Sequence, residues 1–158
     1  SFGTNWRMLE MQATIGRIQL RRMREWNRLR TRNALALQKT LQPFSAAVRV
    51  PVPDAGYTHA YYRQYGYIRP TGLKAGWDRD RIVAEITSLG FPAFQGSCSE
   101  VYLEKAFHGT RWRPEERLPV ARELGETSIM FLTHPTITEE QLGEYCTVVR
   151  QTFESALR

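Results

Sequence analysis

Histidine and cysteine, two residue types often used as metal ligands or as nucleophile and base, are few in this sequence. Its three histidines, His59, His108 and His134, have no second imidazole, thiol or carboxylate at a spacing typical of metal ligands, so we expect no metal site. Cys98 and His108 would suit a nucleophile and its base, but nothing in the sequence brings them together, and a buried thiol is the simpler interpretation. No glycine-rich phosphate loop is present, which disfavours nucleotide hydrolysis. These residues alone indicate no active site.

The strongest local charge feature is a run of arginines with one acidic residue, Glu25, among them. The run comprises Arg17, Arg21, Arg22, Arg24, Arg28, Arg30 and Arg32. Seven positive charges less one negative charge equal the net charge of +6 of the whole chain, so the remainder is balanced. A surface that follows nucleic-acid phosphates is one interpretation. Tyrosines and tryptophans are not interleaved with the run as a base-stacking surface requires, so a solvated helix face or a domain interface is favoured and no nucleic-acid partner is expected.

The composition is that of a globular domain. With 158 residues, 42% of them hydrophobic, the chain can bury a core. Two cysteines do not suggest a secreted disulfide framework, which favours the cytoplasm. The uncharged stretches are too short to cross a bilayer, so we expect no membrane partner. The first residues carry neither an initiator Met nor a signal pattern, and we expect the chain to be part of a longer protein.

The elements that must position any site begin with one long helix. Apolar residues recur at helical spacing from Met8 to Leu41, which predicts a helix over these residues. Residues 3–5 (Gly-Thr-Asn) are expected to cap its start, and Pro43 to end it. The arginines occupy the opposite faces. This apolar stripe is longer than one small sheet can cover, so part of it is expected to pack elsewhere in the full protein.

Beyond the long helix, extended and helical patterns alternate. Strands are predicted at 59–69, 91–94 and 128–133, and helices at 79–89, at 120–124 and after 138. Residues 48–52 are expected to form an edge strand or an extended linker. Asp78 and Gly90 suit the two ends of the helix at 79–89, and Thr138 with a carboxylate nearby suits the start of the last helix. The segment 95–119 is the least regular, with one short helix predicted at 100–107.

This order of elements predicts an α+β fold. We expect a long amino-terminal helix, followed by a small, mainly antiparallel sheet with helices packed mostly on one side. The predicted division is a helix over 1–45 that leads to a missing large domain, and a small carboxy-terminal domain over 46–158.

Several segments resemble one known family. Residues 3–8 (Gly-Thr-Asn-Trp-Arg-Met), followed by Gln-Ala-Thr-Ile-Gly at 12–16 and Gln-Leu at 19–20, are similar to the Gly-x-Asn-Tyr-Arg-Met…Gln-Ala-Ala-Ile-Gly…Gln-Leu segment of the DegT/StrS-type nucleotide-sugar aminotransferases. These are fold type I pyridoxal-phosphate enzymes. Further similar stretches follow in the family's order: His-Ala-Tyr-Tyr at 59–62, Arg-Asp at 79–80, Pro-Val-Ala-Arg-Glu-Leu at 119–124 and His-Pro-Thr-Ile-Thr at 134–138. The resemblance covers nearly the whole chain.

The resemblance implies the small domain of a dimeric enzyme. In the family a large amino-terminal domain holds pyridoxal phosphate on a lysine upstream of the Gly-x-Asn segment. Here Lys39, Lys74 and Lys105 are the only lysines, and none lies at that motif. The intact homodimer is therefore expected to move an amino group from glutamate to a nucleotide-linked keto-sugar, in bacterial polysaccharide, lipopolysaccharide or deoxysugar biosynthesis. The chain alone is expected to bind no cofactor and to be inactive.

The resemblance also assigns candidate cofactor residues. The family's loop asparagine reaches the cofactor phosphate of the neighbouring subunit, which implies that role for Asn5 and a place for Arg7 in the same shared site. The alternative for Asn5 is a helix cap alone, because asparagine is favoured at that position without any ligand.

Candidate substrate residues fall in the irregular segment. Where many relatives have Tyr-x-Pro-Leu-His near the sugar, this chain has Gly-Ser-Cys-Ser-Glu-Val-Tyr at 96–102. Polar groups on such loops often set specificity, which makes Ser97, Glu100 and Tyr102 the candidates for contact with the sugar. Simple packing of Tyr102 and Leu103 is the alternative.

Two other functions compete with the aminotransferase. One is a non-catalytic scaffold or dimerisation domain whose parent also lacks the lysine, and the other is a basic nucleic-acid-binding module built on the arginine run.

Overall fold

The computed structural model describes residues 7–96 and 98–158. Its helices and strands follow in the order α1 (Glu10–Leu41), β1 (Val48–Arg49), β2 (Arg63–Ile68), α2 (Arg79–Ser88), β3 (Ala93–Gln95), α3 (Pro119–Thr127), β4 (Ser128–Leu132) and α4 (Glu139–Ala156). Short 3₁₀ helices lie at Gln42–Phe44, Pro70–Gly72, Val101–Leu103 and Lys105–Phe107. The predicted order of helices and strands is confirmed, and with it the α+β class.

The four strands form one antiparallel sheet in the order β1-β2-β4-β3. In its centre Gln64 of β2 pairs with Phe131 of β4, and Phe94 of β3 pairs with Met130 on the other edge of β4. All three pairings are antiparallel. The predicted antiparallel sheet is confirmed.

The core lies on one face of this sheet. Alternate residues of β2 are buried, as the two-residue period of a strand requires. The core side chains come from three helices and from the inner sheet face: Leu37 and Leu41 of α1, Ile82 and Ile86 of α2, Tyr145, Val149 and Phe153 of α4, and Ile68, Ala93, Ile129 and Phe131 of the strands. On the opposite face Tyr65 and Tyr67 are half-buried near Leu124 of α3. Helices thus cover the sheet mainly on one face, as predicted.

The long helix begins two residues later than predicted. Its first residue is Glu10, and Leu9 is the cap residue. The backbone N–H of Leu9 donates to Oε1 of Gln12 at 3.0 Å, so a side chain inside the first turn provides the cap. The predicted cap at residues 3–5 is therefore wrong. The helix ends at Leu41, and Pro43 lies in the 3₁₀ turn that follows, in agreement with its predicted role.

Three smaller boundaries also differ from prediction. The strand expected over 48–52 stops at Arg49, since the prolines that follow lack a backbone donor. The helix expected over 100–107 is two 3₁₀ turns. At α4, Thr138 accepts from the backbone of Gln141 at 3.2 Å, and the Gln141 amide, instead of a carboxylate, accepts from Thr138 N. These are differences of detail within the confirmed order.

The strand expected over 59–69 begins only at Arg63. Tyr61 has φ 45°, in the left-handed region that residues other than glycine rarely adopt. Because this backbone conformation is not extended, the strand cannot include Tyr61. Its N–H donates to Nδ1 of His59 at 3.0 Å, and its carbonyl accepts from Oγ1 of Thr133 at 2.5 Å. Hydrogen bonds on both sides thus hold the turn that precedes β2.

Replacing Gly72 by Ala should destabilise the fold through backbone overlap. A Cβ at this position would lie 2.1 Å from the carbonyl oxygen of Ala46 and 2.9 Å from Cα of Ala47. Neither atom can move without shifting the connection into β1, so we expect Gly72→Ala to cost roughly 1–3 kcal/mol or more of unfolding free energy. Urea denaturation measures this loss of unfolding free energy. The matched control is Gly143→Ala on α4, where the new Cβ has no neighbour within 4 Å. This substitution should raise the free energy of unfolding by about 0.5–1 kcal/mol. Equal midpoints for the two variants would contradict the overlap.

Candidate functional site

The amino-terminal half of α1 carries an exposed apolar stripe. Met11, Ile15 and Ile18 are 74%, 57% and 46% exposed, and Met8 continues the stripe towards the amino terminus. Ile15 lies 18 residues before Asn33, which is about five helical turns, so both lie on the same side of α1. Asn33 is fully buried. The helix face that enters the core in the second half of α1 is therefore open to solvent in the first half.

The second half of α1 is fixed to the connection between β4 and α4. The buried amide of Asn33 donates to the carbonyls of Thr133 at 3.4 Å and His134 at 3.0 Å. Arg32 donates to the Ile137 carbonyl at 3.0 Å and to Glu139 at 3.2 Å. These bonds orient the exposed amino-terminal half relative to the sheet.

Four arginines of the run form a stripe on the other side of the same helix, whereas Arg22 follows Ile15 by seven residues and lies on the side of the apolar stripe. Arg17, Arg21, Arg24 and Arg28 follow at intervals of four, three and four residues and are exposed. Arg28 pairs with Glu25 at 2.6 Å. The placement of these four residues agrees with the predicted helix, but Arg22 departs from the expectation that all the arginines lie on the opposite faces. Most of the charge of the run lies at the surface.

One of the candidate cofactor residues, Arg7, lies just before α1. Arg7 is exposed and precedes the helix by three residues. Asn5 lies outside the residues that the structure describes. Because Leu9 is the cap residue of α1, a cap role at residue 5 no longer competes with the cofactor role proposed for Asn5.

The candidate substrate residues Glu100 and Tyr102 lie together with an arginine that the sequence did not single out. Nε and Nη2 of Arg117 donate to the two carboxylate oxygens of Glu100 at 2.8 and 2.5 Å. The Tyr102 hydroxyl donates to Oε1 of Glu100 at 2.7 Å and accepts from the N–H of Leu118 at 2.9 Å. We call Glu100, Tyr102 and Arg117 the clasp. Ser97, the third substrate candidate, lies outside the described residues.

The clasp is strongly polarised. The Arg117 hydrogen bonds, with that of Tyr102, lower the pKa of Glu100 to about 2. The same ion pair raises the pKa of Arg117, and burial followed by the bond to Glu100 raises the pKa of the Tyr102 hydroxyl. At neutral pH the clasp therefore consists of a carboxylate, a guanidinium and a neutral phenol. Because no periodic pattern relates residues 100 and 117, this pair could not be predicted from the sequence.

The alternative chemistries find little support among the described residues. Cys98 donates to Glu104 at 3.7 Å, so its recorded partner is a carboxylate and not His108. Across residues 7–96 and 98–158, no three His, Cys, Asp or Glu side chains are grouped as metal ligands would be. No helix in that part of the chain is long and apolar enough to cross a membrane.

A pyridoxal-phosphate site needs a lysine beside groups that hold a phosphate. Lys39, Lys74 and Lys105 are all exposed and lie on α1, after β2 and in a 3₁₀ turn. The ammonium of Lys74 donates to the carbonyl of Ser155 at 3.0 Å. The described residues therefore do not form a complete site for this cofactor.

Known structures share this architecture. An aminotransferase from Psychrobacter cryohalolentis is 50% identical over 98% of this chain, with a TM-score of 0.90. The aminotransferase TlmJ from Streptoalloteichus hindustanus (22% identity, 98% coverage) and the Helicobacter pylori aminotransferase PseC (18% identity, 98% coverage) have TM-scores of 0.79 and 0.78. The chain spans only 41%, 39% and 40% of these three proteins. The fold of this chain thus corresponds to about two fifths of each of these three proteins.

Sequence comparison gives the family. The model of the DegT/DnrJ/EryC1/StrS aminotransferase family matches residues 1–150. A comparison with curated proteins finds no match. The chain belongs to the DegT/DnrJ/EryC1/StrS aminotransferase family, which confirms the resemblance found in the sequence.

Proposed function

We propose that this chain is the carboxy-terminal small domain of a pyridoxal-phosphate-dependent nucleotide-sugar aminotransferase. The observation that carries the proposal is the match to the Psychrobacter cryohalolentis aminotransferase, which is 50% identical over 98% of this chain but is covered only to 41% of its own length. In this proposal residues 1–45 lead from a large amino-terminal domain, and residues 46–158 form the small domain. The lysine and most of the cofactor site belong to the large domain.

The open stripe on α1 supports a missing partner domain. Met11, Ile15 and Ile18 leave a contiguous apolar surface in water on a helix whose other half is buried. The proposed occupant is the large domain of the same protein, because the related chains are more than twice as long as this one. Cofactor candidates Asn5 and Arg7 precede this stripe directly, so the same docking would bring them to the edge of the large domain.

We propose that the intact homodimer transfers the amino group of glutamate to a nucleotide-linked keto-sugar. The Helicobacter pylori relative takes part in the biosynthesis of pseudoaminic acid, an indication of sugar chemistry within this fold. The proposed role lies in bacterial lipopolysaccharide, polysaccharide or deoxysugar biosynthesis, in the cytoplasm. Ser97, Glu100 and Tyr102 would border the sugar, and pyridoxal phosphate supplies the amino-group carrier when it is bound to the complete enzyme.

Assay of the complete protein tests this function. Purified with pyridoxal phosphate, it should lose its yellow colour on addition of glutamate and recover it on addition of a nucleotide-linked keto-sugar, with an aminated sugar detected by mass spectrometry. A complete protein that neither holds the cofactor nor reacts with glutamate would instead indicate the scaffold alternative. Binding to DNA that falls steeply with added salt would indicate the nucleic-acid alternative.

Replacing Asn5 by Ala in the complete enzyme should weaken retention of pyridoxal phosphate. Loss of one hydrogen bond to a charged phosphate corresponds to about 1.5–3 kcal/mol, or roughly a 10- to 100-fold higher dissociation constant. Equilibrium dialysis of the cofactor measures the change. The matched control is Asn27→Ala, which removes the same side chain from the middle of α1 and should leave the affinity unaltered. Unchanged cofactor affinity in Asn5→Ala would reject the assignment.

A further inference from the structure

The geometry points to Arg117 as a positioning residue that fixes residues 98–118, through Glu100 and Tyr102, in the shape that receives the sugar. The inference rests on the proposed function and deepens it. It changes the expected part played by Glu100, which acts as the anchor of the segment and not as a ligand of the sugar.

Burial alone does not hold this segment. It contains only two single-turn 3₁₀ helices, and large apolar side chains along it, Val101, Trp112 and Leu118 among them, are exposed. None of its residues belongs to the buried core cluster. A segment with so little apolar burial needs specific polar bonds to keep one conformation.

The clasp provides such bonds at both ends of the segment. Glu100 lies near its start, and Arg117 and Leu118 immediately precede α3, so the ion pair joins residues 17 positions apart and closes the loop onto its own base. The bond from Leu118 N to the Tyr102 hydroxyl closes the same loop a second time. Beyond the clasp, Ser99 packs close against Gly125, which ties the base of the loop to α3.

The clasp differs from an ordinary surface ion pair. Exposed pairs contribute little unless their geometry is bidentate or they belong to a network. Arg117 is 43% exposed, but the Glu100 side chain is only 11% exposed. The pair is also bidentate and carries a third hydrogen bond from Tyr102. Arg117 further approaches Glu126 at 3.5 Å, which links the network to α3.

Glu100 is poorly suited to bind the sugar directly. Both of its oxygens already accept hydrogen bonds from Arg117, and one also accepts from Tyr102. A nucleotide-linked sugar carries phosphate charges, and a free carboxylate nearby would repel them. With Arg117 bound, the pair is neutral overall. The same bonds that hold the loop thus also remove this charge from the surface that the substrate would approach.

The test uses Arg117→Gln in the complete enzyme, with the two half-reactions measured separately. The KM for the nucleotide-linked keto-sugar should rise about tenfold or more, whereas the rate of cofactor bleaching by glutamate stays at the wild-type value. Arg117→Lys, which keeps the charge but loses the bidentate geometry, should recover part of the loss. The matched control is Arg81→Gln on α2, because Arg81 has a similar exposure and pairs with Glu85 at 3.8 Å, away from the clasp; its KM should be that of the wild type.

Limited chymotrypsin digestion gives a second measurement if a variant is poorly active. Cleavage at the exposed Trp112 should be several-fold faster in Arg117→Gln and in Tyr102→Phe than in the control Arg81→Gln. An unchanged KM and unchanged cleavage in Arg117→Gln would overturn the inference, as would equal loss in both half-reactions, which indicates general destabilisation. If wild-type enzyme fails to react with glutamate, the proposed function falls first and the inference falls with it.

Discussion

The 158-residue chain purified by itself should show no transamination above the uncatalysed rate, whereas the complete protein should turn over. Enzymes typically accelerate their reactions by at least about a million-fold, so this is the largest effect that we predict. The reason is the placement of the lysines. Lys39, Lys74 and Lys105 are exposed at three separate places, and none is paired with a group that would hold the cofactor's phosphate among the described residues. The measurement is production of an aminated sugar from glutamate and a nucleotide-linked keto-sugar.

A control separates a true cofactor site from casual reaction with surface amines. Exposed lysines react weakly with any aldehyde, so a faint colour with pyridoxal phosphate is not informative by itself. In a variant with Lys39, Lys74 and Lys105 all changed to Arg, that colour should fall to the part that the α-amino group contributes. Each change should alter the unfolding free energy by no more than about 0.5 kcal/mol. Amination of a keto-sugar by the isolated wild-type chain would refute the assignment of catalysis to the large domain.

Features set by neighbouring residues were predictable from the sequence. Asp78 accepts from the backbone N–H of Arg81 at 2.8 Å and caps α2, as its position before an apolar helical pattern indicates. Gly90 has φ 88° just after the same helix, the conformation for which glycine is favoured at a helix end. The long run of apolar residues at helical spacing likewise predicted α1. Each of these signals is contained within a few turns of chain, so tertiary structure is not needed to recognise it.

Features set by distant residues were not predictable. Tyr61 looks like part of a strand, but hydrogen bonds from its neighbours, including that of Thr133 72 residues later, hold it in the left-handed region. The Glu100–Arg117 pair likewise depends on how an irregular segment closes. The sequence identified Glu100 and Tyr102 as polar candidates but could not show that they bind each other. Composition indicates which groups are available, whereas the fold decides which of them are already engaged.

Replacing Ile15 by Arg should damage the complete protein far more than the isolated chain. In the chain alone Ile15 is 57% exposed, so the new charge remains in water and the unfolding free energy should change by less than about 0.5 kcal/mol. In the complete protein the stripe is proposed to lie against the large domain, where an unpaired charge should cost roughly 3–5 kcal/mol. Denaturant unfolding of both proteins, with and without the substitution, measures the difference.

Leu35→Arg is the matched control, because it makes a comparable apolar-to-arginine change on the same helix at similar exposure, 51%. Leu35 follows Ile15 by 20 residues and therefore lies on nearly the opposite side of α1, at about 100° per residue. It should have little effect in either protein. If Ile15→Arg and Leu35→Arg lower the denaturation midpoint of the complete protein equally, the loss is caused by the added charge and not by its position on the Ile15 face. If only Ile15→Arg lowers the stability of the complete protein, the Ile15 face must be covered there. If the large domain covers it, removing that domain should abolish the difference in stability between the two variants.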